Sequence, residues 1–271
     1  MGRKSMAKLI DARHIQVGYA QHPIINDLSI TISRGQITTL IGPNGSGKST
    51  LIRAMAKLLK IDQGVLTFDD QNLTTLSHKM LAKKLAVLPQ TTQAKPELTV
   101  AELVTFGRLP YRKPLSGLTA LDREKIDWAL TKAHLTTLKD RPLTNLSGGQ
   151  RQRAWIAMAI AQDTDTIILD EPTTYLDLPH QLEVMQLIQE LNQSADRTII
   201  MALHDLNHAA RFSDNLIAIK DGALAASGTV NDVMTAENLR RIFNIDATLI
   251  AYEGRPLILT YETATPAEDV Q

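Results

Sequence analysis

Residues 42–49 read Gly42-Pro43-Asn44-Gly45-Ser46-Gly47-Lys48-Ser49, with Thr50 next, and fit the pattern G-x-x-x-x-G-K-[ST]. Phosphates carry concentrated negative charge, and a chain must approach them with its backbone amides. Glycines permit that approach and the unusual dihedrals it needs. A helix starting here adds unpaired N–H donors and a partial positive charge. Lys48 would place a full charge at the β- and γ-phosphates, and Ser49 would offer its hydroxyl to Mg²⁺. A second constellation, Thr166-Ile167-Ile168-Leu169-Asp170-Glu171, is an apolar run ending in two carboxylates. Asp170 fits the Mg²⁺ shell through water. Glu171, leaving the strand in a different direction, fits a base that polarises water lined up on a terminal phosphate. Alone, Asp170-Glu171-Pro172 reads as an acidic helix-starting turn; beside a phosphate loop it reads as chemistry. A third, Leu146-Ser147-Gly148-Gly149-Gln150, precedes a helical pattern through Arg151, Ala154, Ile156, Ala157 and Ile160. Ser147 and the two glycines make a second helix start able to face an anion, although a plain cap would also use them.

These residues need strands and helices to hold them. Strands are predicted at 14–18, 28–33, 37–41, 65–68, 86–88, 167–169, 198–202, 216–219 and 223–227. The central ones are apolar on both faces, as buried parallel strands are. Helices are predicted at 49–59, 101–107, 121–134, 150–161, 179–193 and 205–212. This alternation implies a parallel α/β layer architecture. The stretch 91–163 is mostly helical in pattern, punctuated by Pro96, Pro110, Pro114, Gly117 and Pro142. It reads as a helical subdomain inserted into an α/β core of about 8–90 and 164–262. Residues 249–252 and 256–261 flank Glu253-Gly254, a hairpin turn, and 263–271 read as a frayed acidic tail.

Composition excludes several classes. The 271 residues are 44% hydrophobic and 21% charged, which suits a sizeable core and excludes a disordered chain. Lys plus Arg and Asp plus Glu are both 29, so there is no basic excess for wrapping nucleic acid. Cysteine is absent, which removes disulfides, thiolate zinc sites and cysteine nucleophiles and fits a reducing cytosol. No segment approaches the roughly 18 apolar residues that span a bilayer. The start, Met-Gly-Arg-Lys-Ser-Met, has no apolar stretch behind it for a secretion signal, and Met6 stands where myristoylation of Gly2 wants Ser or Thr. Work at a membrane would therefore need another subunit to hold the chain there.

A phosphate loop, the 146–150 pentapeptide about 100 residues later and the Asp170-Glu171 strand about 20 beyond that resemble the ATP-binding-cassette (ABC) ATPases over nearly the whole chain. The resemblance implies a P-loop NTPase cassette: a mainly parallel sheet with flanking helices, a small antiparallel β region and an inserted helical subdomain. It implies ATP and Mg²⁺ as ligands. By the same likeness Tyr19 stacks on adenine, though it also reads as a half-buried strand-end aromatic. Gln90 touches Mg²⁺ and senses the membrane partner. Thr174-Tyr175-Leu176-Asp177 matches the loop that crosses to a second subunit. His204 contacts the γ-phosphate, where a lone His would read as a helix cap. Ser147, Gly148, Gly149 and Gln150 of one copy cover the ATP held by residues 42–50 of the other, so two copies would sandwich two nucleotides head to tail. The departure is Thr166, a polar residue opening the strand, which reads as a weakened edge.

Finer features resemble the ATPase subunits of iron–siderophore importers: Gln150-Arg151-Gln152-Arg153-Ala154, Asp170-Glu171-Pro172-Thr173-Thr174-Tyr175-Leu176-Asp177 and Leu203-His204-Asp205-Leu206-Asn207. That likeness implies two separate permease subunits, an indirect substrate-binding protein and a peripheral place on the cytoplasmic face of the cell membrane, with no nucleic acid and no membrane insertion. Gly107-Arg108-Leu109-Pro110-Tyr111 resembles the permease-docking stretch of type II importers. Residues 91–115 would carry that contact, with Phe106 and Tyr111 either on the docking surface or in the core. Haem and cobalamin importers are the alternative cargo reading. A non-transport cassette working on ribosomes or DNA would carry two cassettes or coiled-coil insertions, and neither is present. A nucleotide-gated module that hydrolyses poorly conflicts with Glu171 and His204.

Overall fold

Two long strands, Lys8–Tyr19 and His22–Ser33, pair antiparallel, and Gln63–Phe68 joins the first of them with Ile10 opposite Phe68. The sequence predicts only parts of these strands. Register shifts interrupt the pairing, and His14 and Asp27 adopt φ of 50° and 49°. Bulges of this kind break the two-residue alternation on which strand reading depends. The computed structural model describes residues 7–20, 22–90, 97–113 and 116–264. Pro96, Pro114 and most of the frayed tail therefore lie outside the described residues. The chain divides into two compact units, Met1–Asp70 with Ala202–Gln271, and Gln71–Met201.

In the first unit Ile37–Ile41, buried throughout, runs parallel to Asn215–Lys220, with Leu40 opposite Ile217. Ala223–Thr229 folds back antiparallel through Asp221-Gly222, both at positive φ as tight hairpins require. The helix Lys48–Met55 follows the phosphate loop and ends earlier than predicted; Lys57 at φ 57° stops it. Two short helices, Val230–Val233 and Ala236–Phe243, are not predicted from the sequence, although Thr229 and Thr235 cap them and Leu239 and Ile242 anchor the second. The predicted hairpin is present as Ile245–Tyr252 and Arg255–Thr263 around Glu253-Gly254. Asn207 bonds both ways to the backbone of Ile258, which holds the helix Leu206–Phe212 against it.

In the second unit Leu85–Leu88 runs parallel to Thr166–Asp170, with Leu85 opposite Thr166. Thr166 is buried and in register, so the strand edge is not weakened there. Residues 97–113 and 116–163 are helices and turns, with one isolated bridge between Thr99 and Pro142. Capping boxes start Val100–Thr105, Ala120–Lys132 and Gly148–Ala161. The predicted helix 101–107 tightens instead into a 3₁₀ segment, Phe106–Tyr111. Arg108 fixes that segment. It bonds to Asp122 at 2.9 Å and to the carbonyl of Ala161 at 2.8 Å, and both charged residues are buried. Burial pushes the Asp122 carboxyl up, but bonds from Thr119 and Arg108 outweigh it and hold the group below its ordinary value. The Tyr111 ring lies 4.1 Å from the Arg108 guanidinium.

Candidate active site

The phosphate loop leaves the buried strand Ile37–Ile41 and turns into the helix Lys48–Met55. Gly47 caps that helix at φ 106°, a left-handed conformation that a side chain would strain, and a Cβ there would lie 2.5 Å from Ile25 Cδ1. The tip of the loop is open, since a Cβ on Gly45 would meet nothing within 4 Å. Lys48 is buried, and its ammonium donates to the carbonyls of Gly42 at 2.8 Å and Pro43 at 3.0 Å. Ser46 Oγ is buried and has no hydrogen-bond partner among the described residues. Such an orphan is costly unless a ligand satisfies it. Anion-seeking amides, a buried ammonium and an unsatisfied hydroxyl at one helix start fit a bound phosphate. Thr50 is buried behind the loop and Asn44 is exposed at its rim.

Two other predicted residues belong to the same unit. Tyr19 ends its strand 42% exposed, and Arg53 of the loop helix donates to its hydroxyl at 3.3 Å. The ring is thus tethered to the phosphate-loop helix while keeping surface for stacking. His204 follows Leu203, whose amide bonds to the carbonyl of Leu40 in the strand feeding the loop. The helix after it is capped by Asp205, which accepts from the His208 amide at 2.7 Å. His204 therefore precedes the cap and is not the cap itself.

The second unit holds the carboxylates. Asp170 ends a strand whose five residues are all buried. Glu171 follows at φ 53°, a left-handed conformation that costs a non-glycine residue about 1–3 kcal/mol. This twist turns its side chain off the strand. Gln90 Nε2 donates to Glu171 Oε2 at 2.6 Å, and the Thr174 hydroxyl donates to the same oxygen at 3.1 Å. Two donors on one oxygen fix the carboxylate's orientation. Ser147 caps the helix Gly148–Ala161, accepting from the Gln150 amide while Gln150 Oε1 accepts from the Ser147 amide. The first-turn amides of Gly148 and Gly149 have no acceptor within a helix. Asp177 caps the helix Leu178–Ala195 and pairs with the His180 ring, which holds its carboxyl below the usual range.

Among the described residues there is no group of three His, Cys, Asp or Glu able to hold an ion alone. Mg²⁺ does not require one; it keeps waters and takes one or two carboxylates plus substrate phosphates. The donor types of Ser49, Gln90 and Asp170 fit that preference. Sequence reasoning missed the Thr174 bond, the Arg53 tether and the contacts of His180. His180 left a signal, since a residue three past a capping Asp stands where it meets that cap again.

Residues 25–174 match the ABC transporter family. The chain is 46% identical to the iron(3+)-hydroxamate import ATP-binding protein FhuC of Bacillus subtilis (strain 168), over 93% of this chain and 95% of that one. It is 44% identical to the petrobactin import ATP-binding protein FpuD of Bacillus anthracis, over 90% and 89%. The dimeric structure of MJ0796, a bacterial ABC transporter cassette, superposes with a TM-score of 0.72 at 28% identity, covering 82% of this chain and 98% of that one. Among the described residues no helix is long and apolar enough to cross a membrane. With the phosphate loop, the oriented carboxylate and the capped Ser147 helix all on such a scaffold, this chain belongs to the ABC transporter family.

Proposed function

We propose that the chain is the ATP-hydrolysing motor subunit of a bacterial importer of ferric siderophores. Two copies bind two ATP molecules and drive separate permease subunits from the cytoplasmic face of the membrane. The observation that carries this reading is the oriented carboxylate of Glu171 in a chain that also holds a complete phosphate loop.

Lys48, Ser46 and the amides of residues 42–50 bind the phosphates of ATP, and Tyr19 takes the adenine. Ser49, Gln90 and Asp170 would hold Mg²⁺, which when bound would supply positive charge to offset that of the phosphates. Glu171 takes a proton from the attacking water as its oxygen bonds to the γ-phosphorus. The bond from that phosphorus to the β–γ bridging oxygen breaks, and Lys48 offsets the charge left on ADP. His204 donates to the γ-phosphate and marks whether it is present. Ser147, Gly148, Gly149 and Gln150 of the second copy, with the Asp177 loop, close over the nucleotide. Loss of the γ-phosphate removes that contact, so the pair opens by a shift of population.

The names of the FhuC and FpuD relatives, one for iron(3+)-hydroxamate and one for petrobactin, support ferric siderophores over haem or cobalamin. The test is ATP-driven uptake in membrane vesicles carrying the permeases, with ferric hydroxamate, haem and cobalamin in parallel. Preferential uptake of haem or cobalamin would overturn the cargo, and absence of phosphate release from MgATP would overturn the motor.

A further inference from the structure

We infer that His180 is a positioning residue that makes the helix start at Ser147 and the loop 173–177 move as one body. This rests on the reading above, in which both elements close on nucleotide and Glu171 activates water. Three observations within the second unit carry it. The His180 ring nitrogen bonds to Asp177 Oδ1, and its backbone amide donates to the same oxygen at 3.3 Å. The His180 side chain also packs close to Gly149: a Cβ built there would overlap His180 Cδ2 and come within 2.9 Å of His180 Cβ, which cannot swing away. One turn further along, Arg153 Nη1 bonds to Glu183 Oε2 at 2.5 Å, so the two helices are joined at successive turns.

The loop is tied at both ends. Gln181 Nε2 donates to the carbonyl of Leu176 at 2.9 Å, and the Leu176 side chain reaches Gly148. At the other end Thr174 bonds through its amide and its hydroxyl to Glu171. Between these anchors Tyr175 stands at φ 66° and 96% exposed, so the intervening chain contributes no packing of its own. A displacement at Gly149 therefore reaches Glu171 by a short path, through packing from Gly149 to His180 and then through hydrogen bonds and the chain to Asp177, the loop, Thr174 and Glu171. The imidazole is the one link in that path that touches both the glycine backbone and the capping carboxylate. With His180 in place, a side chain at Gly149 would have no room for its Cβ.

The test uses the full chain and four variants, His180→Ala, His180→Gln, Gly149→Ala and the double variant Gly149→Ala/His180→Ala, with MgATP affinity, kcat and KM measured for each. A small misplacement of reacting groups costs up to on the order of 100-fold, so His180→Ala is expected to lower kcat about tenfold while KM and nucleotide affinity stay within about twofold. His180→Gln keeps a donor for Asp177 and recovers most of kcat. Gly149→Ala loses activity because of the overlap, and removing the ring in the double variant restores part of it, a non-additive cycle. Wild-type kcat in His180→Ala, or strictly additive losses in the cycle, would overturn the inference. Should His180→Ala fail to fold, His180→Gln and Gly149→Ala still decide it: an inactive His180→Gln with a normal melting temperature, or a fully active Gly149→Ala, counts against it. Failure of wild type to bind MgATP would instead sink the functional reading on which the inference stands.

Discussion

Gln90 and Glu171 stand 81 positions apart in sequence and share a 2.6 Å bond from amide to carboxylate. The donor lies two residues beyond the strand Leu85–Leu88, which runs parallel to the one delivering Glu171. Replacing Glu171 by Gln keeps the size of the side chain and removes its basicity. Phosphate release should fall roughly 100- to 10,000-fold, with nucleotide affinity retained. Trapped ATP should then hold the pair closed, so size exclusion in saturating MgATP gives a dimer peak for Glu171→Gln. A monomer peak alone would contradict the sandwich.

Lys48 predicts a loss of ligand-linked stability. A nucleotide at a hundred times its Kd stabilises the native state by about 2.7 kcal/mol. Lys48→Ala removes the charge that meets the phosphates and should abolish that gain. Calorimetric melting with and without MgATP checks it; an equal upward shift in both proteins would take Lys48 out of the site.

The buried Arg108–Asp122 pair gives a pH prediction. Its geometry holds the Asp122 carboxyl below the value of about 3.9 that it has in the unfolded chain. The pair's contribution is thus complete above that unfolded value and is lost as pH falls through the lower folded one. Asp122→Asn should flatten the acid side of the stability curve below about pH 4. Arg108→Met, which strands a buried carboxylate, should cost about 3–5 kcal/mol at neutral pH. Urea midpoints measured across that range decide both, and an unchanged acid limb in Asp122→Asn would refute the assignment.

Phe106 and Tyr111 separate into different roles. Phe106 is 42% exposed, whereas Tyr111 is half-buried on Arg108. Phe106→Asp should abolish ATP-driven uptake in vesicles while basal hydrolysis by the isolated subunit stays within about twofold of wild type. Tyr111→Asp should also lower the melting temperature, since a ring over a partly desolvated guanidinium contributes about 0.5–2 kcal/mol. Uptake that survives Phe106→Asp would move the permease contact elsewhere.

The phosphate loop was legible because its chemistry is local: eight consecutive residues define a turn, a charge and a helix start. The buried strands 37–41 and 198–202 were legible because burial on both faces leaves a continuous apolar or β-branched run. Lys8–Tyr19 and His22–Ser33 were only partly legible, since bulges at residues such as His14 and Asp27 shift the alternation. Thr174 on Glu171 and His180 under Gly149 were not legible. Such contacts depend on where two helices and a loop converge, and no spacing along the chain encodes that.

Lys48 already has two carbonyl partners in the loop it serves. Arrival of a polyphosphate thus trades bonds that exist for stronger ones instead of dragging a bare ammonium out of water. The trade runs backwards as easily: once products leave, the cation has a resting place and the loop keeps its shape. Such a cradle resets between turnovers without having to refold.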